Sequence, residues 1–89
     1  MKVELFGMAR ALAGVSHVEL GLDEPVALPD FLHALGEALP ALIPDVIAPA
    51  ADALVEPNLL LLDGRRALRD GETFGDADRP CILFLASGG

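Results

Sequence analysis

Few residues of this chain could take part in chemistry, and the two that stand out come last. Gly88 and Gly89 close the sequence behind Ser87. A glycine pair has no Cβ, so it can thread a channel too narrow for any side chain. Its tip would carry the α-carboxylate of Gly89, a group open to activation. Ser87 to Gly89 span roughly 10 Å when extended. Alone, a Gly-Gly end is a weak signal, because frayed termini end the same way. The other candidates fail sooner. Ser16 and Ser87 make no serine–histidine–aspartate set, and no Gly-Lys pair marks a phosphate loop. Cys81 is the single cysteine. With no histidine close in sequence, it reads as an inert strand residue rather than a nucleophile. One cysteine excludes an intrachain disulfide, a cysteine-ligated cluster and a zinc finger. His17 and His33 fall in different elements, so no metal site and no bound cofactor are expected. The carboxylates are scattered over turns and wet faces, and most read as solvated charge.

A tail needs a body to present it. The 89 residues make one small domain, and 53% of them are hydrophobic, as in a globular chain. Six basic residues stand against 14 acidic ones, a net charge of −8. That balance argues against nucleic-acid binding, which needs lysine and arginine to displace counterions. Lys2 is the only lysine, so no basic patch for an anionic membrane can be drawn. No run of about 18 apolar residues exists to cross a bilayer. The opening meets Glu4 and Gly7 too soon for a signal peptide, so the expected location is the cytoplasm.

The elements follow from periodicity. Lys2 to Phe6 alternates in polarity and reads as a strand. Gly7 to Gly14 is a glycine-bracketed connection with room for a helical turn. In Ser16 to Leu22, Val18, Leu20 and Leu22 point one way, and His17, Glu19 and Gly21 the other. The short connection predicts an antiparallel hairpin. Pro29 suits a first helical position and Asp30 the first turn. Phe31, Leu32, Leu35 and Leu39 follow at helical spacing, and Pro40 ends the helix. Residues 44–57 have some helical periodicity, interrupted by Pro49, and predict a broken or short second helix. Leu59 to Leu62 is an apolar run closed by Asp63-Gly64, a two-residue hairpin signal. Asp70-Gly71 marks another turn. Cys81 to Ala86 is the last strand.

The order is strand, strand, helix, a variable segment, strand, short turns, strand. Sequential connection rules then make the first and last strands parallel and central. The expected fold is α+β, a β-grasp or ubiquitin-like domain. A mixed four- to five-stranded sheet would carry one main helix on one face. The body would run over residues 1–86 and the flexible tail over 87–89. One helix covers only one face. The leucines of the last two apolar strands would therefore be exposed on the other and mark a partner interface, unless residues 44–57 fold over them. A basic partner surface would be steered to so acidic a body.

The residues resemble the MoaD/ThiS sulfur carriers, a ubiquitin-like family. Val3 to Gly14 looks like the family's opening strand, aromatic residue, arginine-bearing turn and glycine. Pro29 to Leu42 looks like its helix. Leu60-Leu61-Leu62-Asp63-Gly64-Arg65 resembles the third strand and its turn. Leu68-Arg69-Asp70-Gly71-Glu72-Thr73-Phe74 resembles the "L-x-D-G-D-E-V" stretch, and Gly88-Gly89 the family ending. Phe84-Leu85-Ala86 depart from the Pro-Pro-Val common in the molybdopterin branch, and Gly75 to Pro80 is longer than usual. Thiamine-type carriers are usually shorter, which favours the molybdopterin branch.

The resemblance implies a mechanism. An E1-like enzyme of the MoeB/ThiF type, using ATP, would adenylate Gly89. A sulfur donor would convert the acyl-adenylate to a thiocarboxylate. A sulfur-accepting catalytic subunit of the MoaE type would receive the Ser87-Gly88-Gly89 tail, and sulfur would pass to a molybdopterin precursor. The chain would be no catalyst alone. By analogy with ubiquitin, Ile82 and Phe84 would face the helix, and Leu61, Leu83 and Leu85 the partner. Three alternatives are a modifier joined through Gly89 to lysines of other proteins, a carrier for thiamine or another pathway, and an adaptor whose end is never activated.

Overall fold

The computed structural model describes residues 1–84. Five strands form the main sheet. They are β1 (Lys2–Leu5), β2 (His17–Glu19), β4 (Asn58–Leu62), β5 (Arg66–Ala67) and β7 (Cys81–Phe84), in the order β2-β1-β7-β4-β5. β3 (Val26–Ala27) and β6 (Thr73–Phe74) pair antiparallel as a small second sheet. β1 and β7 run parallel, Glu4 beside Cys81 and Leu5 beside Ile82. The other main-sheet pairs are antiparallel. The first and last strands are therefore neighbours inside the sheet, as the connection rules require. This is the mixed β-grasp arrangement.

The local reasons are legible. β1 alternates exposed and buried, with Val3 and Leu5 inward. Val18 pairs with Val3 and continues the inward row. Helix α1 (Met8–Ala13) occupies the glycine-bracketed connection, and Gly14 ends it in the left-handed conformation with its N–H on the Arg10 carbonyl. Helix α2 (Leu28–Ala38) carries Pro29 and Asp30 in its first turn and buries Phe31, Leu32 and Leu35. It ends at Leu39, whose N–H reaches the Leu35 carbonyl, and Pro40 opens a 3₁₀ turn to Leu42. The core joins α2 to Val3, Leu5, Leu60, Leu62 and Ile82 of the sheet. Phe31 meets Phe74 of β6 edge-to-face at 5.1 Å, tying the helix to the small sheet.

Residues 44–57 correct an expectation. They form no helix. The segment folds back on itself as an irregular loop, with an isolated bridge between Ile47 and Leu54. The Val55 N–H reaches the Val46 carbonyl at 2.8 Å, and the Ala48 N–H the Ala53 carbonyl at 3.0 Å. Pro44, Pro49 and Pro57 remove donors and push each preceding residue out of the helical region. The apolar positions that mimicked a helix are real core positions: Val46 and Ile47 are fully buried. They pack on the α2 side. A Cβ added to Gly36 of α2 would lie 3.1 Å from Ile43 Cδ1 and 3.9 Å from Ile47 Cδ1, so this glycine admits the loop against the helix.

Candidate functional site

The site begins at β7, the middle strand of the main sheet. Its neighbours on both sides hold it, and it runs directly into Leu85. The Phe6 N–H donates to the Ile82 carbonyl at 2.9 Å, extending the β1–β7 ladder. On the other side Asn58 pairs with Phe84, Leu59 with Leu83, Leu60 with Ile82 and Leu61 with Cys81. The sequence-predicted tail residues Ser87, Gly88 and Gly89, and the partner-face residue Leu85, lie outside the described residues. Phe84 is thus the last described residue before them.

Strand alternation sorts the side chains of β4 and β7. Ile82, Leu60 and Leu62 are buried beneath α2. Phe84 shares their face and is half-buried. Leu83 and Leu61 point to the opposite face and are half-buried, as is Leu59. The open face has two halves. Lys2, Glu4, His17 and Glu19 make the β1–β2 half polar, and leucines make the β4–β7 half apolar. Val46 and Ile47 from the 44–57 loop belong to the core on the α2 side. The apolar half runs along β7 as far as Leu83.

The corner between β1 and α1 adds residues that the sequence reading passed over. Phe6 is 40% exposed, Met8 36% and Leu12 38%. Met8 and Leu12 are four apart on a six-residue helix whose buried residue is Ala9, so both stay on its wet side. That i, i+4 pair was the available signal. Gly7 holds this corner against β7, since its φ is +61° and a Cβ on it would sit 2.9 Å from the Phe84 Cβ. Arg10 follows on the exposed side of α1. Large exposed apolar side chains therefore stand close to the point where the chain leaves β7.

Cys81 is 7% exposed. Burial pushes its thiol above the ordinary range, and the Glu4 carboxylate adds to the rise. It is not tuned as a nucleophile. Among the described residues, no group of three or more His, Cys, Asp or Glu side chains is placed to hold a metal ion. Among the same residues, no helix is long and apolar enough to cross a membrane.

The carboxylates do more than their sequence context suggests. Glu24 accepts the Asp76 N–H at 2.6 Å, and Asp76 accepts the Lys2 N–H at 2.8 Å. Asp78 accepts the Gly75 N–H at 2.9 Å. Glu72 takes both guanidinium N–H groups of Arg66, at 2.9 and 2.7 Å, and the Arg69 N–H at 3.0 Å. These acids fasten the loops that deliver the chain to β7.

The comparisons with known proteins can now be placed beside this geometry. The crystal structure of small archaeal modifier protein 1 from Haloferax volcanii superposes with a TM-score of 0.78. It is 28% identical, over 99% of this chain and 97% of that one. A second crystal structure of H. volcanii small archaeal modifier protein 1 gives a TM-score of 0.76 at 26% identity, covering 96% and 95%. The fold is the ubiquitin-like β-grasp. No family model and no curated protein matches the sequence. The likeness runs the full length of both chains, so β-grasp describes the whole domain. It does not single out the MoaD branch among the ubiquitin-like carriers.

Proposed function

We propose that this chain is a sulfur carrier whose Gly89 carboxylate is activated by a separate enzyme and then bears sulfur as a thiocarboxylate. The observation that carries the reading is the position of β7. The strand held on both sides in the sheet is the one that leads straight to Ser87-Gly88-Gly89, in a fold shared end to end with a modifier protein. A root fixed on both sides gives a short tail a defined starting point, and positioning is what a non-catalytic scaffold can contribute.

The chemistry follows from the carboxylate. Its charge and resonance oppose attack by a nucleophile. An E1-like adenylating enzyme would let a Gly89 oxygen attack the α-phosphorus of ATP, releasing pyrophosphate. The resulting acyl-adenylate has lost the charge and gained a leaving group. Hydrosulfide sulfur then bonds to the acyl carbon as the C–O bond to AMP breaks. The apolar half of the open face, through Leu61, Leu83 and Leu85, would dock on the activating enzyme and on a MoaE-type sulfur-accepting subunit. Molybdopterin synthesis is the pathway the chain's length favours, since thiamine-type carriers are usually shorter.

The name of the solved neighbours supports a second reading, a protein modifier whose Gly89 joins lysines of other proteins. Both readings share the adenylation step. Intact mass after incubation with a cognate activating enzyme, ATP and sulfide tests the first. The expected product is heavier by the difference between sulfur and oxygen. Isopeptide adducts on other proteins, with no thiocarboxylate, would favour the second. Unchanged biological activity after deletion of Gly88 and Gly89 would leave an adaptor that is never activated.

A further inference from the structure

Asn58 is the one polar residue buried among the described residues, at 4% exposure. It opens β4, ahead of Leu59–Leu62, on the face that buries Leu60 and Leu62. Its Nδ2 donates to the Val55 carbonyl at 2.8 Å, and its backbone N–H donates to the same oxygen at 3.0 Å. Facing a carbonyl, that end of the amide must be the donor. The other end, Oδ1, is buried and has no hydrogen-bond partner among the described residues. The amide is planar and anchored at Nδ2, so it cannot turn to satisfy its oxygen without losing the Val55 bond. A buried acceptor left open costs free energy that a leucine of similar size would not.

The place of this oxygen says what could fill it. Asn58 pairs with Phe84, the last described residue before the C-terminal segment. Cα atoms across such a pair stand about 4.5–5.5 Å apart. The Leu85 nitrogen is bonded to the Phe84 carbonyl carbon, so its N–H is within reach of an asparagine side chain. That of Gly88 lies roughly 10 Å further along an extended chain. Continuing the register would set Pro57 against Leu85, and proline has no N–H to extend the ladder. β4 thus offers a departing chain no backbone donor there, whereas Oδ1 offers an acceptor that matches a backbone N–H.

We propose that Asn58 is a positioning residue for the activation of Gly89: its Oδ1 accepts the Leu85 N–H and sets the direction in which the segment leaves β7 within the activating enzyme. The proposal rests on the activation step of the function proposed above and adds the residue that aims the tail. Sheet partners fix β7 as far as Phe84. One further bond, one residue on, fixes the first backbone torsions beyond it. Fewer directions then remain open to Ala86–Gly89, and the carboxylate is met in productive alignment more often. The effect falls on the chemical step rather than on docking, because Leu61 and Leu83 lie on the opposite face of the sheet from Asn58.

The experiment measures ATP-dependent pyrophosphate release by a cognate activating enzyme, with kcat and KM for the full chain and its variants. Asn58→Leu fills the space without the oxygen. It should melt within a few degrees of the parent, keep KM and lose about five- to tenfold in kcat, the worth of one hydrogen bond. Leu85→Pro removes the matching N–H and keeps Phe84 extended, the conformation favoured before proline. Leu85→Ala keeps the N–H and gives the baseline for the lost side chain. Against that baseline Leu85→Pro should lose the same factor in kcat. The double variant, Asn58→Leu with Leu85→Pro, should lose no more than either alone, since both delete one bond. Asn58→Leu with the parent's kcat overturns the inference and leaves the activation reading standing. So does an Asn58→Leu chain that melts far below the parent or fails to fold, because the amide then serves the fold. Losses that add in the double variant overturn it too, because another donor then fills the site. Absence of pyrophosphate release from the parent overturns both.

Discussion

Gly7 lies against Phe84 so closely that a Cβ on it would come within 2.9 Å of the Phe84 Cβ, and its backbone takes φ +61° with ψ −129°, a conformation that glycine adopts far more readily than any other residue. One residue without a side chain thus sets the approach of the β1–α1 corner to the last described residue of β7. Gly7→Ala should cost about 1–3 kcal/mol for the strained backbone and about 1–3 kcal/mol more for the overlap. Gly14 provides a comparison at positive φ without the contact, because it is left-handed at φ +75°, ψ 9°, with nothing within 4 Å of its would-be Cβ. Gly14→Ala should therefore show only the cost of a left-handed backbone, about 1–2 kcal/mol, and lose less than Gly7→Ala. In a domain of this size each kcal/mol lowers the melting temperature by about 4–8 °C. Thermal unfolding of the two variants side by side reads the difference. Equal losses would mean the corner does not press on β7.

Much of the fold could be read from the sequence because it is encoded locally. The alternation of Val18 and Leu20, the Asp63-Gly64 turn and the stripe of Phe31, Leu32 and Leu35 each rest on near neighbours. Asp63 and Gly64 both take positive φ, and the Arg65 N–H closes the turn on the Leu62 carbonyl at 3.1 Å. What could not be read depends on distant partners. Val46 and Ile47 have helical spacing, but prolines and the demand of the core turn their segment into a loop. Gly36 looks like a weak point of α2 until Ile43 is seen against it. Glu24 looks solvated until the Asp76 N–H arrives from 52 residues away. At the site, the sequence located the strand that leads to the tail and the alternation of its faces. The exposure of Met8 and Leu12 was missed because an i, i+4 apolar pair usually marks a buried face.

The pairing of Arg66 with Glu72 makes a pH prediction. The forked guanidinium bonds, helped by the Arg69 N–H, lower the Glu72 carboxyl from an ordinary 4.5 to about 2. The unfolded chain therefore binds this proton more readily than the folded one. The stabilisation is complete above about pH 4.5 and is lost as the pH falls towards 2. Glu72→Gln should flatten that part of the profile, measured as the denaturant midpoint against pH for both proteins. Added salt should shrink the difference, because the pair is solvent-exposed. A midpoint difference that grew on acidification would have the wrong sign for this bond.

Cys81 gives a prediction that separates its neighbourhood from its chemistry. The thiol is buried on β7, three residues before Phe84, and both burial and Glu4 hold it protonated at neutral pH. Alkylation of the folded protein by iodoacetamide should be slow and should speed up on denaturation. Cys81→Ala should lose a little stability and still acquire sulfur at Gly89 in the intact-mass assay. A folded variant that no longer acquires sulfur would make Cys81 a relay for the incoming sulfur atom.

Two adjacent residues of β7 allow the docking face to be tested against the core. Ile82 is fully buried and pairs with Leu60, whereas Leu83 is half-buried on the opposite face and pairs with Leu59. A charge on the buried side has no partner and no water, so Ile82→Arg should unfold the domain. The same charge at Leu83 can reach solvent, so Leu83→Arg should melt within a few degrees of the parent. Its binding to the activating enzyme should nevertheless weaken, because an arginine would be driven into an apolar contact. Leu61→Arg, on the neighbouring strand and the same face, should do likewise, and Glu19 variants on the polar half should bind as the parent does. Calorimetric titration of each folded variant with the activating enzyme provides the measurement. Normal binding by both leucine variants would move the docking surface elsewhere, with the exposed Phe6, Met8 and Leu12 corner the next place to substitute.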